Sequence, residues 1–311
     1  MKRAIVVGAG GQDGQILFEA LSKDRAVVGL DIGTVRQHLL DGVAPSDAVD
    51  LRSADQVRGM LTRVAPDEVY YLAAHHHASE ERPDETAEFR QCAEIHLSGV
   101  VHFLQAIRET APHCRLFYAG SSQMFGSPTV SRQDEATPFA PRNAYAITKV
   151  AGAHACASYR ERYGVHASVG ILYNHESPLR GPRFVTQRIA RGARAAKRNH
   201  AHKLRLGSLS SVVDWGYAPD FVDAMIRIVS RSTPGDYVVA TGEPHTVRDF
   251  AEIAFASVGL DWRAHVEEEP SLVTATGAIL VGDSTKLRQE TGWRPTIGFE
   301  QLVRLLVDSA E

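Results

Sequence analysis

This sequence of 311 residues predicts a doubly wound α/β fold, a parallel sheet with helices on both faces, followed by a smaller C-terminal α/β lobe. Three observations carry that expectation. A short apolar strand at residues 4–7 runs into glycines spaced G-x-x-G-x-x-G and then into a helical pattern, the arrangement that presents a helix N-terminus to a pyrophosphate. Apolar strand-like runs then alternate with helical patterns as far as residue 173, as in crossover units. Finally, Ser121 at the end of a strand precedes Tyr145 and Lys149, which lie one helical turn apart on one face.

Length and composition set the outer bounds. The chain is long enough for a dinucleotide-binding domain over about residues 1–170 and a second lobe over about 171–311, with some strands and helices of the latter returning to the first. A net charge of −3 with mixed-sign side chains gives no electrostatic reason for a nucleic-acid or anionic-membrane partner. Cys92, Cys114 and Cys156 are scattered and odd in number, and no C-x-x-C pair occurs, which argues against a disulfide framework or a zinc knuckle. The opening apolar run is too brief for a signal peptide or a membrane span, so a soluble, cytoplasmic protein is expected.

The first strand is β-branched without amphipathic period, as a strand buried on both faces should be. Gly8, Gly11 and Gly14 allow the tight turn and close backbone approach that a dinucleotide needs, with Gln12 and Asp13 between them. The helix of residues 15–22 leads to a second strand at 26–30 that ends in Asp31. A carboxylate there accepts from a ribose 2′-hydroxyl and repels a 2′-phosphate, so NAD is expected over NADP. Asp50-Leu51 is expected to close a third short strand near the adenine. Residues 67–74 are expected to form the fourth strand, with Leu72, Ala73 and Ala74 small enough at its end for a cofactor to lie against the backbone.

His75-His76-His77 follows. Adjacent residues on an extended segment point to opposite sides, and no Cys or carboxylate pattern supports them, so no metal is expected. The apolar residues Ile95, Leu97, Val100, Val101, Leu104 and Ile107 make residues 86–108 a packing helix. Residues 116–119 form the fifth strand and deliver Ser121, Ser122 and Gln123 to its carboxyl end, where doubly wound sheets bind ligands. A loop over 127–142 precedes the helix of Tyr145 and Lys149, which reaches about residue 163. There the ammonium is expected to lower the phenol's pKa, and Ser121 to complete a proton-transfer set around an alcohol or ketone.

The sixth strand, 167–173, runs into a polar cluster from Asn174 to Gly181 that is placed to line a substrate cleft. His175-Glu176 has no second His at zincin spacing. Residues 184–197 read as a basic helix carrying Arg188, Arg191 and Arg194, most simply a solvated face. Short strands are expected at 204–207 and 212–217, a helix at 218–230, and a closing helix at 299–309.

With the glycine loop, Ser121, Tyr145 and Lys149 in this order, the chain resembles the extended short-chain dehydrogenase/reductases over nearly its whole length. Within them it is most similar to the GDP-mannose 4,6-dehydratase branch and its GDP-heptose relatives. The segments that carry this are Gly11-Gln12-Asp13-Gly14, Ser122-Gln123-Met124-Phe125-Gly126, Asn174-His175-Glu176-Ser177-Pro178, Arg180-Gly181, Phe184-Val185-Thr186 and Asp214-Trp215-Gly216. The resemblance implies a Rossmann domain that holds NAD and a C-terminal lobe that holds a nucleotide sugar, a guanosine diphosphate sugar first, in a homodimer or homotetramer. It implies Tyr145 as the base at the sugar C4 hydroxyl, with Ser121 sharing that hydrogen bond and Lys149 on the ribose. The cofactor side would comprise Gly8, Gly11, Gln12, Asp13, Gly14, Asp31, Asp50, Leu51, Leu72, Ala73, Ala74, Tyr145, Lys149, Leu172 and His175. The substrate side would comprise His77, Ser122, Asn174, Glu176, Arg180, Val185 and Arg188.

The chain departs from the branch where a dehydratase has its C5 base. The position of that Glu holds Gln123, an amide without useful basicity. Val213 stands where relatives have an Arg before Asp-Trp-Gly that grips the diphosphate, and Val273-Thr274-Ala275-Thr276 replaces a later Arg-Pro pair. Three readings stay open: a 4,6-dehydratase with a substitute base, a redox-only reductase, C4 dehydrogenase or C4 epimerase, and a non-catalytic relative.

Overall fold

The computed structural model describes residues 1–39, 48–75, 84–272 and 279–310. Its main sheet opens with β1 (Lys2–Val7), whose Ala4, Ile5, Val6 and Val7 are fully buried. The chain continues through α1 (Gln12–Leu21), β2 (Arg25–Asp31), β3 (Thr34–His38), α2 (Ala54–Val64) and β4 (Glu68–Tyr71). Then come α3 (Glu85–Ala93), a π-helical segment (Glu94–Gly99), α4 (Val100–Thr110), β5 (Arg115–Ser121), α5 (Ala144–Tyr163) and β6 (His166–Leu172). The second half adds β7 (Asn174–Glu176), α6 (Val185–Arg198), β8 (Leu204–Leu206), β9 (Val212–Tyr217), α7 (Ala218–Ser230) and β10 (Asp236–Val239). It ends with β11 (Pro244–Thr246), α8 (Val247–Ser257), β12 (Val266–Glu268), α9 (Thr285–Thr291) and α10 (Phe299–Ser309).

Among the described residues the main sheet has the order β10-β6-β5-β4-β1-β2-β3, parallel throughout except for β3. The order reverses between β1 and β4, which opens the ligand crevice of a doubly wound sheet at their carboxyl ends. The expected fold class is therefore the observed one. Two further small sheets, β11-β9-β7 and β12-β8, are formed by the second half of the chain. One hydrophobic cluster fills the main sheet and its helices, and includes Phe221, Val238 and Trp293 from the second half of the chain. A second cluster packs α6, α8 and α10 around Trp215.

The third strand differs from expectation. Asp50-Leu51 closes no strand: residues 48–50 are irregular and Leu51 lies in a turn before α2. The strand is instead β3, which turns back antiparallel on β2 through Ile32-Gly33, with Gly33 at φ 70° supplying the left-handed turn. The Asp50 carboxylate is clasped by Arg52 at 2.9 Å, and the Leu51 carbonyl by His102. The fourth strand stops at Tyr71, so Leu72, Ala73 and Ala74 leave the sheet. The packing helix predicted over 86–108 is α3, the π-helical segment and α4 in succession. Tyr71 and Tyr118 donate to the Ile95 and His96 carbonyls inside the widened stretch at 2.6 and 2.9 Å.

Candidate active site

The glycine loop is shaped by its neighbours. Gly8 has φ 90°, and a Cβ there would sit 2.8 Å from the Ala73 nitrogen. A side chain at Gly14 would strike the Gly8 carbonyl, whereas one at Gly11 would meet only that carbonyl at an ordinary 3.5 Å. Gly11 is also the N-cap of α1, and no side chain caps that helix end. The loop thus leaves backbone N–H groups and space where a pyrophosphate would lie, which fits a dinucleotide. Asp31 faces the same loop, accepting from the Gly10 and Ile32 backbone N–H groups. Leu72 and Ala73 are half-buried beside it and Ala74 is exposed.

A polar network joins α1 to the chain leaving β6. The Gln12 amide nitrogen lies 3.1 Å from the His175 carbonyl, and Ser177 donates to Gln12 Oε1 at 2.9 Å. Asp13 lies 2.8 Å from His175, whose ring stacks on Phe221 at 4.4 Å. Leu172, at the end of β6, is in register with Ser121 on β5.

Asn143 caps α5 by accepting from the Ala146 N–H at 2.8 Å, which fixes where Tyr145 and Lys149 start. The Tyr145 side chain hydrogen-bonds Ser121, so sequence-distant groups of the proposed proton-transfer set meet. Burial pushes the Tyr145 phenol up to about 12, while the Ser121 bond and the Arg180 charge pull it the other way. Burial likewise draws Lys149 down to about 7; its ammonium donates to the Ala119 carbonyl at 2.8 Å and lies 5.7 Å from the Tyr145 ring centroid. The groups that lower the phenol are Ser121 and Arg180 rather than the expected Lys149, and desolvation outweighs both.

Gln123 follows Ser121 on a short 3₁₀ turn, and its Oε1 accepts from Asn143 at 3.2 Å. Ser122 is buried. Glu176 is buried, accepts from Thr186 at 2.7 Å and pairs with Arg180 at 3.4 Å. The Arg180 guanidinium lies over the Phe184 ring, and burial holds the Glu176 carboxyl above its ordinary range. Asn174 is exposed at the start of β7, and Val185 opens α6. Arg188, on α6, donates to the Arg205 carbonyl of β8 at 2.6 Å. Arg191 is exposed and Arg194 half-buried on that helix. Val213 pairs with His245 and bridges to Leu280. His76, His77 and residues 273–276 lie outside the described residues, and Asp50 and Leu51 lie before α2 rather than at a strand end.

Sequence reasoning missed His96 and Thr148. His96 Nε2 accepts from the His75 backbone at 3.0 Å, while Nδ1 meets the Thr148 hydroxyl at 2.8 Å. Thr148 passes its own hydrogen to α5 carbonyls, so the ring ties the end of β4 to the helix of Tyr145 and Lys149. No local signal in the sequence distinguishes His96 from a helix-packing residue.

Comparison with known proteins shows the family and the fold. The sequence model of the family described as "GDP-mannose 4,6 dehydratase" matches residues 5–306. GDP-mannose 4,6 dehydratase 1 of Arabidopsis thaliana is 40% identical over 328 residues, covering 99% of this chain and 89% of that protein. GDP-mannose 4,6-dehydratase of Sinorhizobium fredii (strain HH103) is 34% identical, covering 94% and 92%. The crystal structure of dTDP-glucose 4,6-dehydratase from Bacillus anthracis str. Ames in complex with NAD superposes with a TM-score of 0.83 at 16% identity, over 99% of this chain and 96% of that one. At that identity the likeness is one of fold.

Proposed function

The chain belongs to the GDP-mannose 4,6-dehydratase family of extended short-chain enzymes, and from this premise we propose that it modifies a GDP-linked sugar by a reaction that begins with oxidation at C4. The observation that carries the proposal is the hydrogen bond between Ser121 and Tyr145, with Lys149 one turn along the same helix and the glycine loop across the crevice. Bound nicotinamide dinucleotide would supply the hydride acceptor. Tyr145, shifted toward phenolate by the Ser121 bond and by the positive charge of a bound nicotinamide ring, would take the C4 hydroxyl proton, Ser121 would hold that oxygen, and Lys149 would bind ribose, with a hydroxyl replacing the carbonyl contact it makes now. Gly8, Gly11, Gln12 and Gly14 would hold the pyrophosphate, and Asp31 favours NAD because its carboxylate repels a 2′-phosphate.

Dehydration, with loss of water between C5 and C6, is the reading that family membership supports. A second reading, a redox-only C4 dehydrogenase, 4-keto-sugar reductase or C4 epimerase, is favoured by Gln123, which has no basicity to remove the C5 proton. In either case residues 1–170 would serve mainly the cofactor and 171–311 mainly the sugar nucleotide, with Asn174, Glu176 and Arg180 nearest the sugar. A cytoplasmic homodimer or homotetramer is the assembly we propose; among the described residues no helix is long and apolar enough to cross a membrane.

The test is mass spectrometry after incubation with NAD and GDP-, UDP-, CDP- or dTDP-sugars in deuterated water. A GDP-sugar product lighter by one water and labelled at C5 is the dehydratase outcome. A product that differs by two hydrogens, or an isomer, with C5 unlabelled is the redox-only outcome. Silence with every sugar, in protein that still binds NAD, rejects C4 oxidation.

A further inference from the structure

The Gln123 side chain has a readable orientation. Asn143 Oδ1 accepts from the Ala146 backbone N–H, which can only donate, so the other terminal atom of Asn143 is its amide nitrogen. That nitrogen lies 3.2 Å from the Gln123 side chain, and a donor is satisfied only by an acceptor. Oε1 of Gln123 is therefore turned to Asn143, and Nε2 is left over. Nε2 has no hydrogen-bond partner among the described residues and belongs to a half-buried side chain two positions from Ser121.

We infer that Gln123 meets the sugar as a hydrogen-bond donor through Nε2, held in that sense by Asn143, and that catalysis ends with redox exchange at C4 while the C5 hydrogen stays in place. The inference rests on the proposed C4 oxidation and decides the fate of the ketone it forms. An amide nitrogen has its lone pair delocalised into the carbonyl and cannot take a carbon-bound proton, whereas its two N–H groups suit a ketone or hydroxyl oxygen of the sugar. In the balanced step, C4–H would leave with its electron pair to a bound nicotinamide oxidant and the C4 hydroxyl proton would leave through Tyr145. The product is the 4-ketone, or a C4 alcohol once the hydride returns to that carbon. Asn143 is a positioning residue here, since it acts through Gln123.

Three readouts separate this inference from the reading beneath it. Nicotinamide absorbance on mixing the NAD-loaded protein with GDP-mannose reports C4 oxidation alone. Deuterium at C5 of the recovered sugar, after reaction in deuterated water, reports proton removal. Calorimetry without NAD compares affinity for GDP-mannose with affinity for GDP. The wild type should show the absorbance change with no deuterium at C5, and Gln123→Glu should gain C5 label. Gln123→Leu should weaken GDP-mannose binding by about fivefold, the size of one hydrogen bond, with GDP unchanged. Asn143→Asp keeps the helix cap but removes the donor, so Gln123 should turn over and give the same loss. C5 label in the wild type, or an unchanged GDP-mannose-to-GDP ratio in both Gln123→Leu and Asn143→Asp, overturns the inference. Absence of the absorbance change together with absence of any C4 ketone or C4 isomer of the sugar strikes the C4-oxidation reading and with it the claim about C5, while the affinity ratio still judges the donor role.

Discussion

His175 is held between two acceptors, the Asp13 carboxylate 2.8 Å from Nε2 and the Tyr173 carbonyl 2.6 Å from Nδ1. A neutral imidazole carries one N–H, so satisfying both contacts calls for an imidazolium against the carboxylate. Burial alone would lower His175, but the adjacent Asp13 charge and hydrogen bond leave it above its ordinary value. Burial would likewise raise Asp13, yet His175 draws it below its own. The nearby Arg180 cation opposes the His175 charge and supports that of Asp13. The pair locks the first turn of α1 to β7, which follows directly on β6 of the main sheet.

The first prediction is a pH dependence of stability set by this pair. His175 is raised in the folded state, so its contribution is complete below the ordinary value of 6.5 and is lost as pH climbs through the folded value. Asp13 is lowered, so its contribution is present above 3.8 and is lost as pH falls through its folded value. Denaturant melts of His175→Gln at a series of pH values should show a loss of about 2 kcal/mol near pH 6 that shrinks toward alkaline pH. A loss that is constant with pH would mean a neutral histidine.

Lys149 should behave in the opposite way. Its ammonium is buried and drawn down to about 7, so from there up to the ordinary 10.5 the unfolded chain binds more protons and stability rises with pH. In protein free of nucleotides, Lys149→Met should therefore be more stable at pH 7, by on the order of 2 kcal/mol, and should flatten the pH slope above it. The same variant should lose C4 oxidation. Equal slopes in the two proteins would refute a depressed lysine.

Asp31 is the residue on which the NAD preference is staked. Asp31→Ser removes the charge that opposes a 2′-phosphate, and the NADP-to-NAD affinity ratio should rise about tenfold, equivalent to roughly 1.4 kcal/mol. Fluorescence titration of both cofactors measures it. An unchanged ratio would place the selectivity elsewhere in the loop.

Gly152 marks where the π-helical segment seats on α5. A Cβ there would collide with the Tyr118 hydroxyl and the His96 carbonyl. Gly152→Ala should cost about 1–3 kcal/mol and reduce turnover as α5 shifts under Tyr145 and Lys149. A fully active, equally stable variant would show that the contact is slack.

The sequence by itself determined what depends on neighbours along the chain. A β-branched run without period becomes the buried β1, Gly8 and Gly14 become a turn that only glycine fits, and Tyr145 and Lys149 share a face because a helix repeats every 3.6 residues. For the same reason both ends of α7 and α10 were legible, and those of β6 and α6 to within one residue. Tertiary structure decided the rest. The β2-β3 hairpin replaced the expected third parallel strand, and β10 returned to pair with β6 from another part of the chain. The salt link of Asp13 to His175 joins residues 162 apart, and the bond of His96 to Thr148 joins residues 52 apart. The Tyr145 phenol and the Lys149 ammonium take their proton affinities from burial, which spacing does not encode. Such contacts depend on which strands lie side by side and on what then excludes water, and both are set only when the whole sheet has closed.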